Sequence, residues 1–184
     1  DLPDSYRALP EVRLNYATST GLGTEFAINS ELAYFESSEL DNPTATRFHI
    51  APTVRYPFKN QWSEFLAEAT VLHTQYIQDN IQSDTRSDTE GNAQNSIQNL
   101  ALKKNVTRTL GQAKVYASLA FERPVSWFGA QATQTFEPKA QYLYTSFQNQ
   151  NNIGLYDTAR LFNDFAGLFR CQAFTGLDLI SSNT

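Results

Sequence analysis

The chain has 184 residues, with 14 Lys and Arg against 19 Asp and Glu, a formal net charge of −5 and an aromatic share of 13%. This acidic balance lacks the basic face that nucleic acid requires, and no apolar run approaches the ~20 residues of a membrane helix. A helical membrane protein is therefore excluded; a β-barrel, in which half of each spanning strand is polar, is not.

Taken in chain order, the sequence is a succession of period-two stretches, the spacing of β-strands. In LPEVRLNY (9–16), Pro10, Val12, Leu14 and Tyr16 alternate with Glu11, Arg13 and Asn15. TEFAINSELAYFE (24–36) sets Phe26, Ile28, Leu32 and Tyr34 against Glu25, Asn29 and Glu31. RFHIAPTVRYPF (47–58) sets Phe48, Ile50, Pro52, Val54, Tyr56 and Phe58 against Arg47, His49, Thr53 and Arg55. SEFLAEATVLHTQY (63–76) follows the rule through Phe65, Ala67, Ala69 and Val71, but Leu66 and Leu72 break it. GQAKVYASLAFE (111–122) sets Ala113, Val115, Ala117, Leu119 and Phe121 against Gln112, Lys114, Ser118 and Glu122. FEPKAQYLY (136–144) sets Phe136, Pro138, Ala140, Tyr142 and Tyr144 against Glu137, Lys139, Gln141 and Leu143. The expected strands are 9–17, 24–36, 47–58, 63–76, 107–123, 127–135 and 136–145. The last two stay in phase with no turn signal between them, so they join into one and leave six.

Between these stretches, TSTGLG (18–23), KNQ (59–61) and RPVS (123–126) read as short turns, rich in Gly, Pro, Asn or Ser. The segments 37–46, 77–106 and 145–184 are long connections. Short and long connections in alternation predict an all-β, antiparallel up-and-down meander with two unlike ends. The tract 77–106 is almost wholly polar and reads as a mobile surface loop. The tract 145–184 is instead rich in apolar side chains and is expected to fold back over or into the sheet. PEVRL, PTVRY and PKAQY, at 10, 52 and 138, are too short to establish a duplication.

Two architectures present such strands. In a soluble sandwich the apolar face is the protein core; in a transmembrane barrel it meets lipid while the polar face lines a wet interior. The charges alone do not separate them. Length favours the membrane, because several stretches hold the pattern for about a dozen positions where a spanning strand needs about 9–11. Aromatic residues bracketing the apolar bands, with Trp62 and Trp127 beside short turns, fit two interfacial girdles. The expected lipid-facing set is Phe26, Phe48, Ile50, Val54, Tyr56, Val115, Leu119, Phe136 and Tyr142. The expected lumen-facing set is Arg47, His49, Arg55, Lys114, Glu122, Glu137 and Lys139. Pro52 and Pro138 lack an N–H for a ladder bond and are expected at bulges or where strand pairing is weak. Six strands fall short of the eight of the smallest such barrels, and the chain holds no Met; the expectation is an arc of a larger wall, from a processed or longer chain.

No catalysis is expected. His49 and His73 lie on different strands without the further ligands of a metal site, so neither metal nor cofactor is predicted. Asp157, Asp164 and Asp178 fall in the last long connection and read as solvated acids. Cys171 is the only cysteine and has no partner for an internal disulfide.

The tract PKAQYLYTSFQNQNNIGLYDTARLFNDFAGLFRCQAFTGLDLI (138–180) resembles the central barrel of the LptD family of lipopolysaccharide-assembly proteins. The resemblance lies in P-x-A-Q-Y-L-Y, in N-I-x-x-Y-D at 152–157, in G-L-F-R at 167–170 and in T-G-L-D at 175–178. ATRFHIAPTV (45–54), YRALPEV (6–12) and AFERP (120–124) also look like that family. It implies a non-enzymatic role in the Gram-negative outer membrane, with lipopolysaccharide and outer-membrane lipids as partners. It further implies a lipoprotein plug, LptE, and periplasmic LptA reached through an N-terminal domain. Under that resemblance Tyr156, Phe162, Phe165 and Phe169 are the expected plug contacts, and the lumenal cations could meet sugar phosphates. The alternatives are a porin-like or ligand-gated channel, which co-purification of a plug would argue against, and a soluble β-sandwich binding module, which insolubility without detergent would argue against.

Overall fold

The structure, a computed structural model, describes residues 6–37, 42–81, 102–127, 129–161 and 172–182. It is an antiparallel meander: β1 (Arg7–Ser19), β2 (Glu25–Glu36), β3 (Thr44–Lys59), β4 (Ser63–Asp79), β5 (Asn105–Leu119), β6 (Phe121–Trp127), β7 (Ala130–Phe136) and β8 (Lys139–Thr145). Six strands form one open sheet in the order β1-β2-β3-β4-β5-β8, and β6 and β7 form a two-stranded ladder. The short connections follow from turn chemistry. Gly23 takes a φ of 79° that a side chain would oppose. Asn60 Oδ1 accepts from the backbone N–H of Trp62 and Ser63 at 3.0 and 2.7 Å, an Asx turn that reverses β3 into β4.

Two expectations are corrected at the last hairpin. RPVS is not a turn, because Pro124 pairs with Thr133 inside a ladder that runs to Trp127 and Ala130. The chain reverses instead at Gly129, whose φ of 80° a side chain would oppose. Residues 127–145 are also not one strand, because they divide into β7 and β8 around Glu137 and Pro138. The division costs no register, since Ser118↔Lys139 and Phe121↔Phe136 lie on the same diagonal. Pro138 has no N–H to give, and the Ala120 N–H turns to Trp62 O at 2.8 Å. Pro52 behaves similarly: the β3–β4 pairing lapses between Ile50↔His73 and Thr53↔Thr70 without a slip. The bulge of this sheet falls in β1, between Ala8 and Glu11, at Pro10.

The register puts Phe26, Phe48, Ile50, Val54, Tyr56, Val115, Leu119 and Tyr142 on one face, and Arg47, His49, Arg55, Lys114 and Lys139 on the other. No second layer of the described residues packs on the first face: Phe48, Val54, Val115 and Tyr142 are 43, 43, 41 and 66% exposed. That outcome is opposite to a sandwich core. Part of the second face is covered by the chain itself. Residues 146–161 and 172–182 fold back over the end of the sheet that carries the long connections. They bury one cluster of Ala33, Phe35, Ala45, Tyr76, Ile153 and Tyr156, and another of Ala51, Leu72, Leu110 and Ile180. Leu72, which broke the alternation, faces inward because Ile180 meets it there.

Candidate functional site

The site lies where the returning loop meets the covered face. Its two arms pair across Arg160↔Phe174, with Leu161 N–H donating to Ala173 O and Thr175 N–H to Ala159 O. Gly176 follows at a φ of 68°, and a Cβ there would lie 2.6 Å from the Asp157 carbonyl oxygen. This T-G-L-D turn therefore needs glycine on two counts: backbone conformation, and the closeness of the opposite arm.

Arg47, the fourth residue of β3, is 1% exposed. Its guanidinium donates to Glu31 Oε1 of β2 at 2.5 and 3.0 Å, to Asp157 Oδ2 at 2.5 Å and to Asp178 Oδ1 at 2.9 Å. It also lies 4.6 Å from the Phe35 ring centroid. Asp178 is saturated. Oδ1 also accepts from Tyr76 Oη at 3.0 Å, and Oδ2 accepts from the N–H of Tyr156 and Asp157 at 2.7 and 2.8 Å and from Thr158 Oγ1 at 3.4 Å. Burial, and then the charge of Asp157, push the Asp178 carboxyl up to about 6, which leaves it ionised at neutral pH. Burial acts in the same sense on Asp157, but the hydrogen bond and charge of Arg47 outweigh it and hold that carboxyl below its usual range.

Arg108, from β5, is also 1% exposed. It grips the loop through neutral acceptors: Gln150 Oε1 at 2.6 Å, Asp178 O at 2.7 Å and Leu177 O. Its Nη2 also reaches Thr74 Oγ1 at 3.4 Å, while its Nε is buried without a partner among the described residues. Gln78 of β4 uses both ends of its amide. It donates to Lys103 O and Asn152 O at 2.7 and 3.0 Å and accepts from Gly154 N–H and Tyr156 Oη at 2.9 and 2.6 Å. Tyr156 stacks on Phe35, with ring centroids 5.5 Å apart, and meets Tyr6 edge-on at 5.1 Å. Burial raises its phenol.

Among the predicted inner-face residues, Arg47 and His49 enter this buried region, and His49 Nδ1 lies 2.8 Å from Thr74 Oγ1. Arg55 lies on the same face of β3 but pairs with Glu68 in the open, at 2.7 Å. Lys114 stands in register with Glu68. Lys139 and Glu137 form an exposed pair at 3.6 Å, and Glu122 is exposed on the projecting hairpin. Phe136 stacks with Phe121 there, centroids 6.3 Å apart. Tyr156 is buried against its own chain. Phe162, Phe165 and Phe169, with Asp164 and Cys171, lie outside the described residues.

The expectation of solvated loop acids is corrected for Asp157 and Asp178. Arg47 and the backbone N–H groups draw them in, and nothing local in the sequence marks a distant arginine as their partner. Glu31, Tyr76, Gln78 and Arg108 also belong to the site, outside the residues that the sequence singles out. The signal available was an apolar loop carrying acids opposite a strand face carrying arginines. No group of three or more metal-ligating side chains occurs among the described residues. Below the loop the covered face opens into a trough of about 530 Å³, lined in part by Arg13, Glu31, His49, Arg55, Glu68 and Asp157.

A family model, LptD, LPS transport system D, matches residues 1–184. Curated relatives carry the name LPS-assembly protein LptD. The chain is 53% identical to that of Pseudoalteromonas atlantica over 181 residues, 98% of this chain and 22% of the relative. It is 36% identical to that of Shewanella frigidimarina over 177 residues, 96% and 21% of the two chains. For Yersinia pestis bv. Antiqua the figures are 38% over 179 residues, 97% and 22%. The chain thus spans about a fifth of the length of the curated relatives it matches.

Proposed function

This chain belongs to the LptD family, LPS transport system D, and on that premise we propose that it is an arc of an outer-membrane β-barrel that moves lipopolysaccharide to the outer leaflet and assembles it there. The observation that carries the reading is the contrast between the two faces of one sheet: one open and apolar, the other polar and covered by the chain's own loop. Strands of 12 to 17 residues suffice to span. The apolar band is also staggered. The row Phe26–Val54–Ala69–Ala113 marks one end of the band on β2, its interior on β3 and β4, and its other end on β5. Strands tilted about 35–45° to a bilayer normal produce such a shift. The same tilt accounts for the hairpin of β6 and β7, which runs past the turn between β3 and β4.

In this reading the open face meets membrane lipid and the covered face lines the lumen. The long connections lie outside the cell and the short turns in the periplasm. The loop fills the outer end of the lumen. The uncovered part, with Arg55, Lys114, Glu122, Glu137 and Lys139, is left for lipopolysaccharide and for the lipoprotein plug LptE; LptA meets an N-terminal domain of the parent. Phe162, Phe165 and Phe169 keep a place against the plug, whereas Tyr156 is committed to the wall. The chain acts as a transport and assembly component, with no catalytic step assigned to it.

The test places a photoreactive residue at Arg55 or Lys139, and separately at Val54 or Tyr142, in the full-length parent reconstituted in phospholipid and supplied with lipopolysaccharide. Adducts to lipopolysaccharide are expected at Arg55 and Lys139, and adducts to phospholipid at Val54 and Tyr142. Phospholipid adducts at Arg55 and Lys139, or no lipopolysaccharide adduct at either, would overturn the reading.

A further inference from the structure

We propose that Arg47 and Arg108 form a binding site for a phosphate-bearing group on the inner face of the wall, and that Asp157 and Asp178 of the loop occupy it as an internal stand-in. The identity of the arriving ligand rests on the transport reading; the site itself rests on geometry. The two arginines project from β3 and β5 on either side of β4, and both are fully buried. They converge on one residue: Arg47 donates to the Asp178 carboxylate at 2.9 Å and Arg108 to the Asp178 main-chain oxygen at 2.7 Å.

The partners point the same way. Arg47 is met by Glu31 on the wall and by Asp157 and Asp178 of the loop. Arg108, by contrast, forms no ion pair among the described residues: it donates to an amide, two carbonyls and a hydroxyl, and its Nε has no partner among them. A buried guanidinium held only by neutral oxygens has unused capacity for an anion, and its fork suits phosphate oxygens. There is also an approach, because the trough of about 530 Å³ reaches Asp157, Gly176 and Leu177 at the margin of the loop. Of the two loop acids, Asp157, whose side chain is 28% exposed, faces the trough, and Asp178, at 0%, lies behind it.

Phosphate and loop then exclude one another, and each weakens the other's hold by the same factor. Loop displacement becomes a consequence of an anionic group arriving in the lumen, not an independent fluctuation.

Hydrogen exchange at 150–158 and 174–180 in the full-length parent within its membrane complex reads the displacement. The titrants are lipopolysaccharide, its dephosphorylated form, inorganic phosphate, and chloride at matched ionic strength as the screening control. Lipopolysaccharide is expected to raise exchange in both segments and leave 63–70 unchanged; the dephosphorylated form and chloride are expected to leave all three unchanged. Asp157→Asn with Asp178→Asn should tighten binding of the phosphorylated ligand about tenfold, and Arg47→Gln with Arg108→Gln should abolish it although the loop is loosened. The opposite responses of the two double variants separate a shared site from general destabilisation, and the wild-type titration needs no variant to fold. A response to lipopolysaccharide alone assigns the site to a lipid headgroup, and a response to inorganic phosphate as well assigns it to small anions. Equal release by the dephosphorylated form, no release by any phosphorylated ligand, or unchanged affinity in the Asp→Asn variant overturns the proposal. Release by phosphate in a protein that gives no lipopolysaccharide adducts sinks the transport reading and leaves the site standing, while adducts without release do the reverse.

Discussion

Arg47 and Arg55 lie on the same face of the same strand, yet belong to different parts of the molecule. Arg47 sits under the loop, 1% exposed, with three carboxylates around it. Arg55, its side chain 47% exposed, holds Glu68 at 2.7 Å. The burial of β3 changes between them: Ala45, Arg47, His49 and Ala51 are buried in alternation, and beyond Ala51 both faces are open. On β4 the alternation begins at Leu72. One strand pattern thus supports two regimes, a sealed polar interface and a wet wall. The difference is whether another segment of chain arrives.

That contrast sets the size of mutational effects. The largest is expected at Arg47→Ala, which strands Glu31, Asp157 and Asp178 together. Removing one partner from a buried charge network costs about 3–5 kcal/mol, read as lost exchange protection of 150–158 and 174–180 with the strands left protected. A loss below about 1 kcal/mol, the scale of an exposed pair, would erase the distinction between the two regions. Gly176→Ala comes next, because it forces a side chain into a left-handed conformation against Asp157. About 1–3 kcal/mol is expected from backbone strain alone, confined to loop docking; equal loss in the strands would show that the loop and the wall are one cooperative unit. Arg55→Gln is the smallest, at most about 1 kcal/mol in thermal or denaturant unfolding of the parent. A larger effect there would mean that the open half is sealed by something in the native assembly.

Much of the fold was readable because it is local. Alternation along a strand names its two faces without reference to any neighbour, so Phe48 and Val54 could be separated from Arg47 and Arg55 on sequence alone. What failed was sequence-local in another way: RPVS carries turn residues but lies in a ladder, since proline tolerates an extended backbone where a ladder donor is not required. The site was legible only as two halves. The apolar content of the loop marks it as inward, but nothing local distinguishes its acids from solvated ones, because the pairing of Asp178 with Arg47 spans 131 positions of chain.

By itself, then, the sequence determined the strand periodicity, the polar and apolar faces, the alternation of short and long connections and the family. These depend on neighbours a few residues apart or on motifs read in a line. Tertiary structure alone decided which arginine is buried, why Leu72 turns inward and where the loop acids go. Burial is a property of what packs on a surface, and the segment that packs here is remote in the chain.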